Sequence, residues 1–221
     1  MTQIFRTHFQ AALLFFGFLY VSAAHSYTVS PAVHTLYKGE STYMISVTND
    51  ASTSPVAIKI KALKRTYNRF GTETSTPTDL IKVYPSSLLI PYKKTKRFRV
   101  ISKAPAEEVE KAFRIFIEEQ LIETKKNSGI ISKTNFNLNL YVKDKKEEAG
   151  ELRFTNEMVD GELFLKATND SNTHLLLIPE KELKSRNILA KSSVLIPIEA
   201  KISSISVKNC YSCEFKTYEV R

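Results

Sequence analysis

EKAFRIFIEEQLIETKKNSGIISKTNFNLNLYVK, residues 110–143, holds two strand-like segments joined by a polar connection, and its reading decides the fold class. In the first, Ala112 to Ile117, period two puts Phe113, Ile115 and Ile117 on one face. In the second, Asn135 to Lys143, Phe136, Leu138, Leu140 and Val142 alternate with Asn135, Asn137, Asn139 and Tyr141. Strict alternation predicts one buried and one polar face. Between the two, Glu123 to Thr134 is rich in Lys, Asn, Ser, Thr and Gly, with Ile130 and Ile131 as its only apolar residues. An Asn-lined strand behind a long polar lead-in belongs near a sheet edge, where another chain can add a strand.

Working outward, the N-terminus reads as an export signal. Arg6 precedes the apolar run AALLFFGFLYVSAA (Ala11 to Ala24), with small residues at Ala24 and Ser26. About 14 apolar residues suit a secretory signal and fall short of the roughly 20 that span a membrane. Residues 1–26 are therefore expected to be removed on export, with the mature protein starting near Tyr27. No Cys follows the run, which argues against a lipid anchor. The formal charge of +9 falls to +8 without Arg6. Lys93, Lys94, Lys96 and Arg97 form the one basic cluster, and no aromatic platform or basic helix accompanies it. It reads as a solvated hairpin rather than a nucleic-acid site. Cys210 and Cys213, in NCYSCE, lie between strand-like runs rather than at a helix start. In an exported chain that favours a disulfide pinning a terminal hairpin over redox chemistry.

The mature chain reads as all-β. Strands are expected over Tyr27 to Leu36, Thr42 to Thr48, around Val56 to Ile60, and over Lys96 to Ile101, with a polar loop over Tyr67 to Asp79. The run YPSSLLIP, framed by Pro85 and Pro91, excludes a helix and favours an edge segment. One helical turn is expected over Ala104 to Glu110. With the 110–143 pair this makes about seven strands, the count of an immunoglobulin-like sandwich. DKKEEAG, Asp144 to Gly150, is the expected hinge. The first domain is thus placed at 27–143 and a smaller β-sandwich at 151–221, the latter needing its disulfide and its neighbour for stability.

Taken together, the chain resembles the periplasmic chaperones of chaperone–usher pilus (fimbria) assembly, the PapD-like superfamily. In look it is closest to the divergent common-pilus branch. The carriers are YPSSLLIPYKKTKRFRV, similar to a P-x5-P…(V/I)-R segment at Pro85, Pro91 and Arg99, then EKAFRIFIEEQL and the alternating strand into the hinge. The resemblance implies two sandwiches set in an L or boomerang. It also implies a function: the chaperone lends an edge strand to a pilin subunit, fills the subunit's open core by donor-strand complementation, and delivers it to an outer-membrane usher. The donor strand that the resemblance implies comprises Ile130, Ile131, Phe136 and Leu138: parity from Phe136 and Leu138 points upstream to Ile130, and a bulge near Gly129 would bring Ile131 into use. For Leu138, Leu140 and Val142 the reading as this domain's own core is favoured.

The best-known members hold the subunit's terminal carboxylate with an Arg and a Lys. Here the matching positions are His34 and Asn139, which carry little charge near pH 7. Other bases, Lys143, Lys133 or Arg114, are alternative anchors. The family's inter-domain charge cluster matches Glu110, Lys143 and, counting back from Cys210, Glu199. An enzyme is not expected: the mature chain has two histidines in different domains, no Gly-rich phosphate loop and no metal-ligand spacing, and no cofactor is implied. The rival reading is a secreted two-domain adhesin or surface structural component.

Overall fold

A computed structural model describes residues 27–50, 54–68, 70, 72–121, 133–145, 150–180, 183–208 and 214–221. The proposed signal peptide, the donor candidates Ile130 and Ile131, and Cys210 with Cys213 lie outside them.

The first sandwich contains β1 (Tyr27–Ser30), β2 (Val33–Leu36), β3 (Thr42–Asn49), β4 (Val56–Tyr67), β5 (Glu73–Pro77), β6 (Ile81–Tyr84), β7 (Ser87–Ile90), β8 (Thr95–Ser102), β9 (Lys111–Gln120) and β10 (Asn135–Val142). One sheet has the order β1-β3-β8-β6. The other is β2-β10-β9-β4-β5, with β7 also paired to β4. Ile45, Val47, Ile58, Phe98, Val100, Phe113, Ile115, Ile117 and Leu140 meet between them, each essentially solvent-free. Fully burying such a side chain is worth about 1.5–3 kcal/mol.

The second sandwich holds β11 (Leu152–Val159), β12 (Glu162–Asn169), β13 (Leu175–Pro179), β14 (Arg186–Ile188), β15 (Ser192–Pro197), β16 (Ser204–Lys208) and β17 (Lys216–Glu219). Its sheets are β11-β12-β15 and β14-β13-β16-β17, enclosing Leu165, Ala167, Leu177, Ile188, Val194 and Ile196. A bridge from Phe154 to Val220 ties the final residues back to β11.

Three expectations are corrected. Tyr27 to Leu36 is two strands in different sheets: β1 pairs β3, and past a cis Ser30–Pro31 bond β2 crosses over to pair β10 in parallel. Pro31 supplies no N–H to either ladder, so the chain can change sheets there without abandoning a donor. Residues 73–77 are a strand rather than loop, because β4 runs on to Tyr67 and pairs β5, with Thr66 and Thr74 hydroxyls 2.8 Å apart. Residues 104–110 form no helical turn: Glu110 N–H donates to Asn172 O across the domains at 2.9 Å. That long-range bond takes a donor that a local turn would need.

Candidate functional site

Two features of the first sandwich concentrate unusual chemistry: the start of β10 and the outer face of the sheet where the second sandwich meets it. Along β10, successive backbone groups point alternately to the two neighbouring strands. Asn139 N–H donates to Ala32 O at 3.0 Å and Lys143 N–H to Leu36 O at 3.1 Å, so odd-numbered residues face β2. The β2 ladder begins only at Val33 opposite Asn139. Asn135 and Asn137 therefore present main-chain groups to an edge on which no described strand lies, while β9 covers their other side. Beside this opening, Val33 is exposed, and the Tyr27 hydroxyl donates to Thr134 O at 2.6 Å. Burial, reinforced by the Glu119 carboxylate, pushes the Tyr27 phenol up to about 12, so it remains a donor.

Phe136 and Leu138, named above as donors, turn the other way. Leu138 is buried in the first core, and Phe136 packs against that core with its ring 4.9 Å from that of Tyr27. The same period two that makes the strand amphipathic directs both side chains inward. What this segment leaves open is its backbone edge rather than these two side chains.

The second feature is a cleft of about 460 Å³ on the outer face of β4, β9 and β10, roofed by β14 and β15. On β9, Arg114 alternates with the core residues Phe113 and Ile115, so it points out of the sandwich. Arg65 on β4 and Asn139 on β10 flank it. Arg65, its side chain 2% exposed, donates to Asn139 Oδ1 at 2.9 Å, the Tyr141 hydroxyl at 3.2 Å and Glu73 Oε2 at 2.8 Å. Burial works against this charge, and Glu73 and Tyr141 more than offset it, holding the guanidinium protonated. Glu73 Oε1 is 2.6 Å from Arg114 Nη2 but lacks hydrogen-bond alignment, so that contact is an ion pair only. Arg186 enters from the second sandwich. The Nε atoms of Arg65, Arg114 and Arg186 are all buried without a hydrogen-bond partner.

The residues matched to the family's special positions are distributed differently from expectation. His34 is half-buried and stacked on Tyr43, 4.3 Å between ring centroids, and does not line the cleft. Asn139 does line it, as an acceptor for Arg65. Lys143 is buried with its ammonium 5.9 Å from the Tyr37 ring centre, and no ion pair joins it to Glu110. Glu110 instead accepts from the backbone N–H of His174 at 3.0 Å and lies 2.8 Å from His174 Nδ1, with the His174 ring stacked on Tyr141 at 3.7 Å. Glu199 is corrected outright. It is exposed, in the turn after β15, where Ile198 N–H donates to Leu163 O. Leu163 is at the start of β12, whereas Asn169, beside the interface, is at its end, about 20 Å away at the rise of a strand.

Arg65, Glu73 and Arg186 were not singled out from the sequence. Alternation from Val56, Ile58 and Ile60 does place Arg65 on the outer face, yet only the second sandwich turns that face into a cleft.

No family model matches the chain, and no curated protein matches it in sequence. Solved structures do match. A chain of the CsuC–CsuE chaperone–tip adhesion subunit pre-assembly complex, from the archaic chaperone–usher Csu pili of Acinetobacter baumannii, superposes with a TM-score of 0.74 at 13% identity. That match covers 88% of this chain and 98% of the other. The periplasmic chaperone SfaE gives 0.62 at 14%, over 88% and 99%, and the E. coli chaperone DraB 0.60 at 16%, over 89% and 96%. At these identities the likeness concerns architecture, and it spans both sandwiches. The chain has the two-domain, immunoglobulin-like fold of the chaperones of chaperone–usher pilus assembly.

Proposed function

We propose that this protein is a periplasmic chaperone that captures pilin subunits by lending them the edge of β10 and passes them to an outer-membrane usher. The observation that carries the reading is the open ladder at Asn135 and Asn137, in a fold shared with solved pilus chaperones. A subunit strand laid along that edge would continue the sheet where β2 leaves off. The inward parity of Phe136 and Leu138, carried up the sequence, reaches Ile130, and we assign Ile130, with Ile131, to the subunit's groove. We assign the terminal carboxylate of the subunit to Arg65 and Arg114, which bring two guanidiniums to the cleft that Asn139 lines and His34 does not. Export fits the same reading: a mature chain starting near Tyr27, with Cys210 and Cys213 oxidised, gives one definite mass by mass spectrometry.

The deciding experiment is co-purification with a co-expressed pilin subunit, paired with a thermal melt of the free protein. Asn137→Pro removes an N–H that faces the open edge and leaves the β9 ladder intact. It should cut capture at least about tenfold, or about 1.4 kcal/mol, with a small change in melting. Ile130→Asp should act likewise. Normal capture by both variants would overturn the donor-strand assignment.

A further inference from the structure

The cleft poses a problem that the chaperone reading does not solve. Arg65 is buried whether or not a partner is present, and a buried guanidinium without a counter-ion is strongly unfavourable. The free protein meets that need from within: Glu73 bridges Arg65 and Arg114 with one oxygen each. A bidentate carboxylate between two guanidiniums is also the arrangement that an incoming terminal carboxylate would adopt.

We propose that Glu73 is a resident stand-in for the ligand: it fills the Arg65–Arg114 carboxylate site in the free protein and yields it when a terminal carboxylate enters. The inference rests on the assignment of that pair to the subunit's C-terminus. Three observations support exchange over a permanent bridge. Arg65 is held from behind by Asn139 and Tyr141, so its guanidinium keeps its place when Glu73 leaves. Glu73 is at the rim, 23% exposed against 2% for Arg65, and opens β5, an edge strand whose one described neighbour is β4. Its side chain can turn to solvent without breaking into the core.

The third observation is charge. Arg65, Arg114 and Arg186 bring three positive charges to the cleft, and Glu73 brings one negative charge. The buried Nε groups of all three arginines also lack hydrogen-bond acceptors, so Glu73 alone does not use up their donor capacity. Because one carboxylate replaces another, the net gain at this site is a difference between two similar interactions. A site built this way registers a free C-terminus yet holds it weakly, which suits a carrier that must release its cargo.

The test uses an acetylated peptide of alternating Val and Thr with a free C-terminal carboxylate, and the same peptide as its amide, binding to the full mature protein. The readout is the ratio of the two affinities. Glu73→Gln should raise the carboxylate-over-amide ratio about tenfold, or about 1.4 kcal/mol. It should also make the melting temperature rise with added acetate, which the natural protein should not show. Glu73→Asp, which keeps the charge and shortens the reach, should raise the ratio by a smaller factor and guards against a Gln variant that fails to fold. Arg65→Met and Arg114→Met should bring the ratio to one. An unchanged or lower ratio in both Glu73 variants overturns the stand-in. A retained ratio in both Arg variants overturns the site itself. Pilin capture is scored separately: its absence in the natural protein breaks the chaperone reading, whereas normal capture with an unmoved ratio breaks only this proposal.

Discussion

The two sandwiches close one end with the same device and use that end in opposite ways. In the first, β3 ends on Thr48-Asn49-Asp50. Asn49 is fully buried and its Nδ2 donates to Ser54 O at 2.9 Å and Ile90 O at 3.1 Å. In the second, β12 ends on Thr168-Asn169-Asp170, and Asn169 Nδ2 donates to Thr173 O, Ile188 O and Leu189 O at 2.7 to 3.1 Å. The neighbourhoods match as well. Thr48 and Thr95 hydroxyls are 2.8 Å apart, as Thr168 and Ser193 are at 3.0 Å, and Lys93 and Lys191 both turn with positive φ. Around the first lock, Leu89 and Tyr92 are exposed. Around the second, Leu189 is buried against Ala112 and Tyr141, and Asn172 and His174 bond to Glu108 and Glu110. The lesson is that the second lock shapes the loops that dock on the first sandwich and so helps to roof the arginine cleft.

That difference sets a ranking of expected effects. Asn169→Ala removes the amide that ties three carbonyls together, two of which, Thr173 O and Leu189 O, keep a serine hydroxyl, in a sandwich with a smaller core. It should cost on the order of 3 kcal/mol in urea unfolding and loosen the inter-domain angle in small-angle scattering. Asn49→Ala removes, among the described residues, the bonds to Ser54 O and Ile90 O. A loss of about 2 kcal/mol is expected, with the scattering envelope unchanged. Equal loosening by both variants would break the comparison. Glu110→Ala strips His174 of its carboxylate partner while leaving each core intact. About 1–2 kcal/mol should go, with looser scattering, since the group is buried and charged. Glu199→Ala should change neither property by more than about 0.5 kcal/mol, because Glu199 is exposed and far from the interface.

Which parts of this were legible in the sequence follows from where the forces act. β9 and β10 were readable because one-sided burial writes itself as period two, and Phe113, Ile115, Ile117, Leu138 and Leu140 are all in the core. The inward turn of Phe136 follows from that same rule. The cleft was not readable. Arg65 and Arg114 look like ordinary outward-facing residues until a second domain covers them, and a three-residue strand such as 186–188 carries no period to announce Arg186. Glu110 was found, but its partner was not. The resemblance suggested Lys143, whereas docking supplies His174 from 64 residues away. The repeated T-N-D shows plainly in the sequence, yet which Asn side chains become buried locks depends on loops that fold over them.

The central claim, that the start of β10 is an edge awaiting a strand, is tested most directly by amide hydrogen exchange at Asn135 and Asn137. In the free protein these two N–H groups should exchange fast, while that of Leu138, bonded into the β9 ladder, exchanges slowly. Adding a pilin subunit that the protein captures should slow Asn135 and Asn137 by at least about a hundredfold, the protection of a new ladder bond worth roughly 2.7 kcal/mol. Unchanged exchange at both amides in a formed complex would contradict the account, since the subunit would then be held by some other surface.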